Sequence, residues 1–296
     1  MSKKTFKIII TYVLAFFTAL AVIGGAGLIL INRYQAEQTE KNSAKTAEED
    51  SSFIPGELDS MTVLGVYDAS QRPSGVCFVL FRLSAEQQKL YVTPLHSDLE
   101  TGGSSLYDVY TAGGITAARD VLEQVLKIGI DKYMLITSQS FSIFSDSCGN
   151  ISYNVPYNLI YTSADPDENT IIREGSLILD TKNLRRVLTF PEYTDGEEER
   201  MLILGNLTVE LINNGCRSTF RSNREDVYNS LVAAGAATDI SIYDMQDISP
   251  ATDYILERSK SPASLLLPSG GYNEEGRYEP EPSFLEALPR WYGIKE

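Results

Sequence analysis

The 296-residue sequence contains only one histidine, one tryptophan and three cysteines. Cys77, Cys148 and Cys216 form no Cys-x-x-Cys pair, and a structural zinc site needs four nitrogen or sulfur ligands, so ordinary zinc ligation is excluded. We expect the cysteines to be small buried hydrophobic residues. An odd number of cysteines outside the cell also permits one disulfide and one free thiol.

Basic residues are also scarce. The 25 lysines and arginines stand against 40 acidic residues, which gives a formal net charge of −15. Residues 1–34 carry four positive charges and no acid, so residues 35–296 carry a net charge of −19. Because nucleic-acid binding depends on clustered lysine and arginine, we expect no nucleic-acid partner. Neither Gly-x-Ser-x-Gly nor Ser-x-x-Lys occurs, so a serine-nucleophile hydrolase has no support.

One long apolar run lies near the N-terminus. Residues 8–31 carry no charge, and a helix over them reaches roughly 36 Å, enough to cross a hydrocarbon core of about 30 Å. Lys3, Lys4 and Lys7 precede the run, so the positive-inside rule predicts a cytoplasmic N-terminus. A cleaved signal peptide is the alternative, but the run is long for one and no clear Ala-x-Ala site ends it.

These features predict a single-pass protein of the cell membrane. Residues 1–34 would be the cytoplasmic N-terminus and the transmembrane helix. Residues 35–56 are polar and would form a solvated linker. Residues 57–296 would form the folded domain on the extracellular side of the membrane.

Strands and helices alternate along the folded part. Apolar runs predict strands at residues 61–67, 76–83, 89–95, 133–137 and 151–155. Helical periodicity predicts a helix that opens at Gly113-Gly114, and further helices at residues 139–145, 182–188, 197–212 and 224–234. The tail from Ser261 is rich in proline and glycine and should lie across the surface. The pattern favours a layered α/β/α domain with a mixed central sheet.

The order of the motifs resembles that of the LytR-CpsA-Psr (LCP) family of Gram-positive envelope proteins, also described as the cell envelope-related transcriptional attenuator domain. The resemblance covers residues 60–290 approximately. The motifs that carry it include GVYDASQRPSG (65–75), VCFVLFRL (76–83), LYDVYTAGG (106–114), EEERMLILGNL (197–207) and LLLPSGGYNEEGRYEP (265–280). The resemblance implies the LCP fold, an α/β layered domain behind a membrane anchor.

The resemblance also implies a chemistry. LCP proteins bind a glycan linked to polyprenyl pyrophosphate in a long apolar cleft and transfer the polymer to peptidoglycan. The implied partner is therefore a polyprenyl-linked cell-wall glycopolymer. In the family, arginines hold the pyrophosphate and acidic residues hold a magnesium ion or assist the acceptor, so catalysis consists of positioning and charge neutralisation. Magnesium is the cofactor that the resemblance implies.

Six residues of this sequence lie at or, for Arg72, one residue away from functional positions of the family. The resemblance assigns catalytic roles to Asp68, Arg72, His96 and Asp98, a metal-binding role to Asp68, and ligand-binding roles to Asp195 and Arg200. Each also has an ordinary structural interpretation, such as an aspartate that caps a loop, a histidine at a strand end or a solvated carboxylate.

Several positions depart from the family pattern. Gly75 stands in place of an aspartate, and His96 or Ser97 stands in place of an arginine. The loop before the helix at 197–212 keeps only Asp195 and Arg200 and is otherwise acidic. Loss of three or four charge-assisted contacts, at about 1.5–3 kcal/mol each, would remove roughly 5–10 kcal/mol of diphosphate stabilisation.

The sequence therefore predicts an LCP-like protein with impaired catalysis that binds a lipid-linked glycan or serves as a scaffold. One alternative is an active phosphotransferase that attaches anionic glycopolymers to peptidoglycan through a rebuilt site. The other is an envelope assembly or regulatory partner without a ligand.

Overall fold

Apolar strands form the centre of the fold in the computed structural model, which describes residues 53–56, 59–69, 75–162, 169–216 and 223–293. The predicted transmembrane helix at residues 8–31 and Arg72 lie outside these residues, as does nearly all of the predicted linker. Within the described ranges, no helix is both long and apolar enough to cross a membrane. Pro55–Glu296 forms one compact unit.

The described part of the chain contains twelve strands, of which the longest are continuous apolar runs. They are β1 (Ser60–Asp68), β2 (Val76–Ser84), β3 (Lys89–Leu95), β4 (Lys132–Thr137), β5 (Ile151–Val155), β6 (Leu159–Tyr161), β7 (Thr170–Ile172), β8 (Gly175–Leu179), β9 (Ala237–Thr238), β10 (Ala263–Leu265), β11 (Gly270–Tyr272) and β12 (Tyr278–Pro280).

Eight α-helices lie between and after these strands in the described part. They are α1 (Leu106–Leu126), α2 (Ser138–Cys148), α3 (Thr181–Leu188), α4 (Gly196–Glu210), α5 (Arg224–Ala233), α6 (Ile242–Arg258), α7 (Pro282–Ala287) and α8 (Pro289–Tyr292). A π-helical segment, Leu211–Cys216, continues α4.

Six strands form the central sheet in the order β10-β3-β2-β1-β4-β9. β2 is antiparallel to both β1 and β3, whereas β4 pairs in parallel with β1 after the crossover through α1. The predicted mixed sheet is therefore confirmed. Since β1 and β3 run in the same direction, both end at the edge of the sheet where β2 begins.

Helices cover both faces of this sheet. Leu64, Val66 and Phe78 belong to a buried cluster with Ala118 and Leu122 of α1. The alternate residues of the strands face the other way, where Tyr67, Cys77, Val79 and Val92 pack with apolar side chains of α2, α3 and α4. Alternation along buried strands thus produces two cores, one for each helical layer.

The first helix begins earlier than its periodicity predicts. Ser105 caps α1 at its N-terminus, and Asp108 completes a capping box with it, so the helix begins at Leu106. The predicted start at Gly113-Gly114 is instead a kink inside the helix, since Gly114 has φ 72° and ψ −169°. Glycine adopts this conformation without the steric penalty that a side chain would bring.

The C-terminal tail also differs from its prediction as a surface segment. Tyr278, Phe284, Leu288 and Tyr292 are buried in the core on the α1 face. The hydroxyl of Tyr292 donates to Oγ1 of Thr93 at 2.7 Å. The tail therefore supplies large side chains to the core, and its proline and glycine residues separate short elements.

Candidate functional site

The candidate site lies at the edge of the sheet where β1 and β3 end. Asp68 is the last residue of β1 and pairs with Val76, the first residue of β2. His96 directly follows β3, and Asp98 follows within the same turn. The first turns of α4 approach this edge and carry Arg200. Topology thus places four of the six predicted residues at one edge, with Asp195 just before α4.

Arg200 is buried inside this site, with 4% of its surface exposed. Its Nη1 donates to both carboxylate oxygens of Glu197, at 2.8 and 3.0 Å, and its Nη2 donates to the carbonyl of Val76 at 2.9 Å. Burial raises the pKa of the neighbouring Cys77 thiol, although Arg200 opposes this shift. The guanidinium that the resemblance assigns to a ligand is therefore paired with a carboxylate of its own helix.

His96 is a neutral, packed side chain. It is 3% exposed, and its ring stacks on that of Tyr278 with 3.6 Å between the centroids and 7° between the planes. Burial, assisted by the positive charge of Arg200, lowers the pKa of His96 to about 4. At neutral pH the imidazole is uncharged, so it cannot replace the positive charge of an arginine beside a diphosphate.

The turn after β3 is held against the start of α4. The Ser97 hydroxyl donates to Oε1 of Glu197 at 3.1 Å, so Glu197 binds Ser97 as well as Arg200. Burial raises the pKa of Asp98, and the neighbouring Glu197 adds to this effect while Arg200 opposes it. A carboxylate with a raised pKa is a better base than a solvated one.

Asp68 lies at the same edge but on the opposite face of the sheet. Its Oδ2 accepts a hydrogen bond of 2.8 Å from the hydroxyl of Tyr110, which belongs to α1. Arg200 instead reaches Val76 from the α4 face. The structure thus brings His96, Asp98 and Arg200 together and holds Asp68 apart from them.

A cleft of about 500 Å³ opens beside His96. We call it the acidic cleft, because four carboxylates line it: Asp195, Glu198, Glu199 and Glu281. His96 and Tyr278 form part of its wall, and the apolar part includes Met201, Leu202, Leu267 and Pro268. No lysine or arginine occurs among the described residues that line it. Asp195 is exposed here, and its side chain makes no capping bond to α4.

Sequence reasoning missed four residues of the site: Glu197, Tyr110, Tyr272 and Tyr278. Glu197 and Arg200 lie three residues apart on a helix, and this spacing could have predicted their ion pair from the sequence. Tyr272 and Tyr278 come from the tail, far along the chain from His96. No local pattern could have placed them there.

The fold and the site together define the class of this protein: an α/β domain with a mixed central sheet and a ligand-sized cleft at the strand ends. No family model matches the sequence, and no curated protein matches it. Its structure is similar to solved structures whose sequences are 15–18% identical to it. At this level of identity, the similarity shows a shared fold and no more.

Three of these structures match over 80–83% of this chain. A putative transcription regulator from Eubacterium siraeum matches with a TM-score of 0.72 and 18% identity, over 80% of this chain and 93% of that one. TagV of B. subtilis matches with a TM-score of 0.64 and 15% identity, over 80% and 98%. TagT bound to LIIa-WTA matches with a TM-score of 0.59 and 15% identity, over 83% and 95%. TagV and TagT are LCP proteins, so this chain has the fold of that family.

Proposed function

We propose that this chain is a single-pass envelope protein that binds a polyprenyl-linked cell-wall glycopolymer on the outer face of the membrane and transfers it poorly or not at all. The fold it shares with LCP proteins supports a role with cell-wall glycopolymers, and one protein of similar fold is bound to LIIa-WTA. The apolar run at residues 8–31 and the lysines before it support the membrane anchor.

The observation that carries the proposal of weak catalysis is the pairing of Arg200 with Glu197. A diphosphate is stabilised best by guanidinium groups that are free to form bidentate bonds with it. Arg200 is 4% exposed and donates to both oxygens of Glu197. The acidic cleft beside it adds four carboxylates, which repel a diphosphate.

Magnesium remains a prediction. Magnesium is often bound by one or two carboxylates together with substrate phosphates. Asp68 offers one carboxylate, and no group of three His, Cys, Asp or Glu side chains among the described residues could hold a metal ion. The substrate phosphates would therefore have to supply most of the ligands beside Asp68, and we derive no step from a magnesium ion.

The test uses the full chain in lipid nanodiscs with a disaccharide linked to polyprenyl diphosphate and with magnesium. We expect the lipid-linked sugar to bind in a filtration assay, without release of polyprenyl phosphate above the background of Asp98→Ala. Release that Asp98→Ala abolishes would establish the active phosphotransferase instead. Absence of binding would leave the assembly or regulatory partner as the remaining interpretation.

A further inference from the structure

The acidic cleft has the opposite charge from a site for diphosphate. Asp195 and Glu198 are exposed at its rim, and Glu199 and Glu281 add two further carboxylates. Arg200 comes from the same helix but is buried and bonded to Glu197. A concave surface lined by carboxylates raises the local concentration of cations and excludes anions.

A second observation concerns the wall of the cleft. His96 lines the cleft, although only 3% of its surface is exposed. Its Nδ1 lies 3.4 Å from the hydroxyl of Tyr272, and its Nε2 has no hydrogen-bond partner among the described residues. Nε2 is not among the fully buried side-chain atoms that lack a partner, so it is open to the cleft and to a ligand there. A sugar hydroxyl both donates and accepts, so it could bond to Nε2 in either tautomer of the ring.

Aromatic rings provide the third feature. Tyr272 is 46% exposed, and its ring lies 5.7 Å from that of Tyr278, which lines the cleft. Leu202 and Leu267 are partly exposed on the apolar part of the wall. Aromatic faces attract ammonium groups and present flat apolar surfaces to a ligand ring. Carboxylates, aromatic faces and a neutral imidazole therefore surround one space.

We propose that the acidic cleft binds an amine-bearing glycan, whose ammonium groups face Asp195 and Glu198 and whose hydroxyl groups reach His96. This inference names the class of sugar recognised at the proposed glycan site, and it rests on the proposed function only in that the ligand is a glycan. A divalent cation is a weaker candidate, because no three metal-ligating side chains cluster among the described residues.

The experiment compares two trisaccharides that share the same sugar backbone but carry either an ammonium or an uncharged acetamido group at each nitrogen. The full chain in nanodiscs is titrated calorimetrically with the glucosamine trimer and with the N-acetylglucosamine trimer at about pH 6, where His96 is neutral. We expect the glucosamine trimer to bind at least about tenfold more tightly, with an affinity that falls as salt is added.

Variants then locate the site. Glu198→Gln should weaken binding of the glucosamine trimer roughly two- to fivefold, as expected for an exposed charge pair, and Asp195→Asn should act similarly. Glu192→Gln is the matched control, because Glu192 is exposed in the same loop but does not line the cleft. It should leave the affinity unchanged.

Three results would overturn the inference: equal affinity for the two trisaccharides, no binding of either, or glucosamine binding that Glu198→Gln and Asp195→Asn leave intact. The nanodisc assay with the lipid-linked disaccharide is independent of these results. Loss of lipid binding with a retained preference for glucosamine would contradict only the proposed function. Retained lipid binding without a preference for glucosamine would contradict only the proposed recognition of an amine-bearing glycan.

Discussion

The two faces of the central sheet hold their charged residues differently at the edge where β1 and β3 end. On the α1 face, Asp68 is a partly exposed carboxylate that accepts a hydrogen bond from Tyr110. On the α4 face, Arg200 is buried and donates to Glu197 and to the carbonyl of Val76. The resemblance to the LCP family assigns functional roles to both residues, yet only Arg200 is buried in the fold. A residue at a motif position can thus contribute packing and charge pairing to the fold.

The largest expected effect comes from breaking the buried ion pair. Glu197→Ala leaves the guanidinium of Arg200 buried without its carboxylate, and such a loss costs about 3–5 kcal/mol. Glu197 keeps 18% of its side chain exposed, so the lower end of this range is expected. The measurement is the free energy of unfolding in urea, for the full chain in detergent.

Glu198→Ala is the matched control for this change. Glu198 is the next residue of α4 but is exposed, so its loss should change the free energy of unfolding by less than about 0.5 kcal/mol. Equal effects of the two substitutions would show that the pairing of Arg200 with Glu197 contributes little to the fold.

A second prediction concerns pH and the packed histidine on the α4 side. The pKa of His96 is lowered to about 4 in the fold, against an ordinary value near 6.5 in the unfolded chain. Between these values the unfolded state binds a proton that the folded state does not. Stability should therefore be complete above about pH 6.5 and should fall by up to about 3 kcal/mol as the pH approaches 4.

The control for this dependence is His96→Gln, because His96 is the only histidine in the sequence. The variant should lose the slope between about pH 5 and 6.5, measured by urea unfolding at several pH values. Asp98 acts in the opposite direction, since its raised pKa favours the protonated form in the fold. Identical pH profiles for the parent and the variant would contradict the burial of a neutral imidazole.

Four of the six strands of the central sheet, β1 to β4, could be predicted from the sequence almost to the residue, whereas the short strands β9 and β10 were not predicted. β2 and β3 are buried on both faces, so each is a continuous apolar run between polar turns. The burial of Tyr278 and Tyr292 could not be predicted, because the tail has no apolar periodicity and its burial depends on contacts with β2 and β3 far away in the chain.

The candidate site could be predicted in part. The sequence predicts that Asp68, His96 and Asp98 lie at strand ends, and the two antiparallel pairings of β2 in the structure bring those ends to one edge. The separation of Asp68 from Arg200 follows from alternation, since Asp68 has the same parity along β1 as Leu64 and Val66 on the α1 face. The stacking of His96 on Tyr278 could not be predicted, because Tyr278 belongs to the C-terminal tail and no local sequence pattern connects it to His96.

The smallest expected effect concerns the α1 face. Tyr110→Phe removes the hydrogen bond to Asp68 and leaves the ring in its edge-to-face contact with Phe78, at 5.5 Å between centroids. The loss should be about 1 kcal/mol in the free energy of unfolding, because the carboxylate is partly exposed and water can replace the phenol. Asp68→Asn should cost no more, since its amide oxygen can still accept the bond. If Tyr110→Phe instead destabilised the protein as strongly as Glu197→Ala, Asp68 would be as deeply built into the fold as Arg200, and the contrast between the two faces would fail.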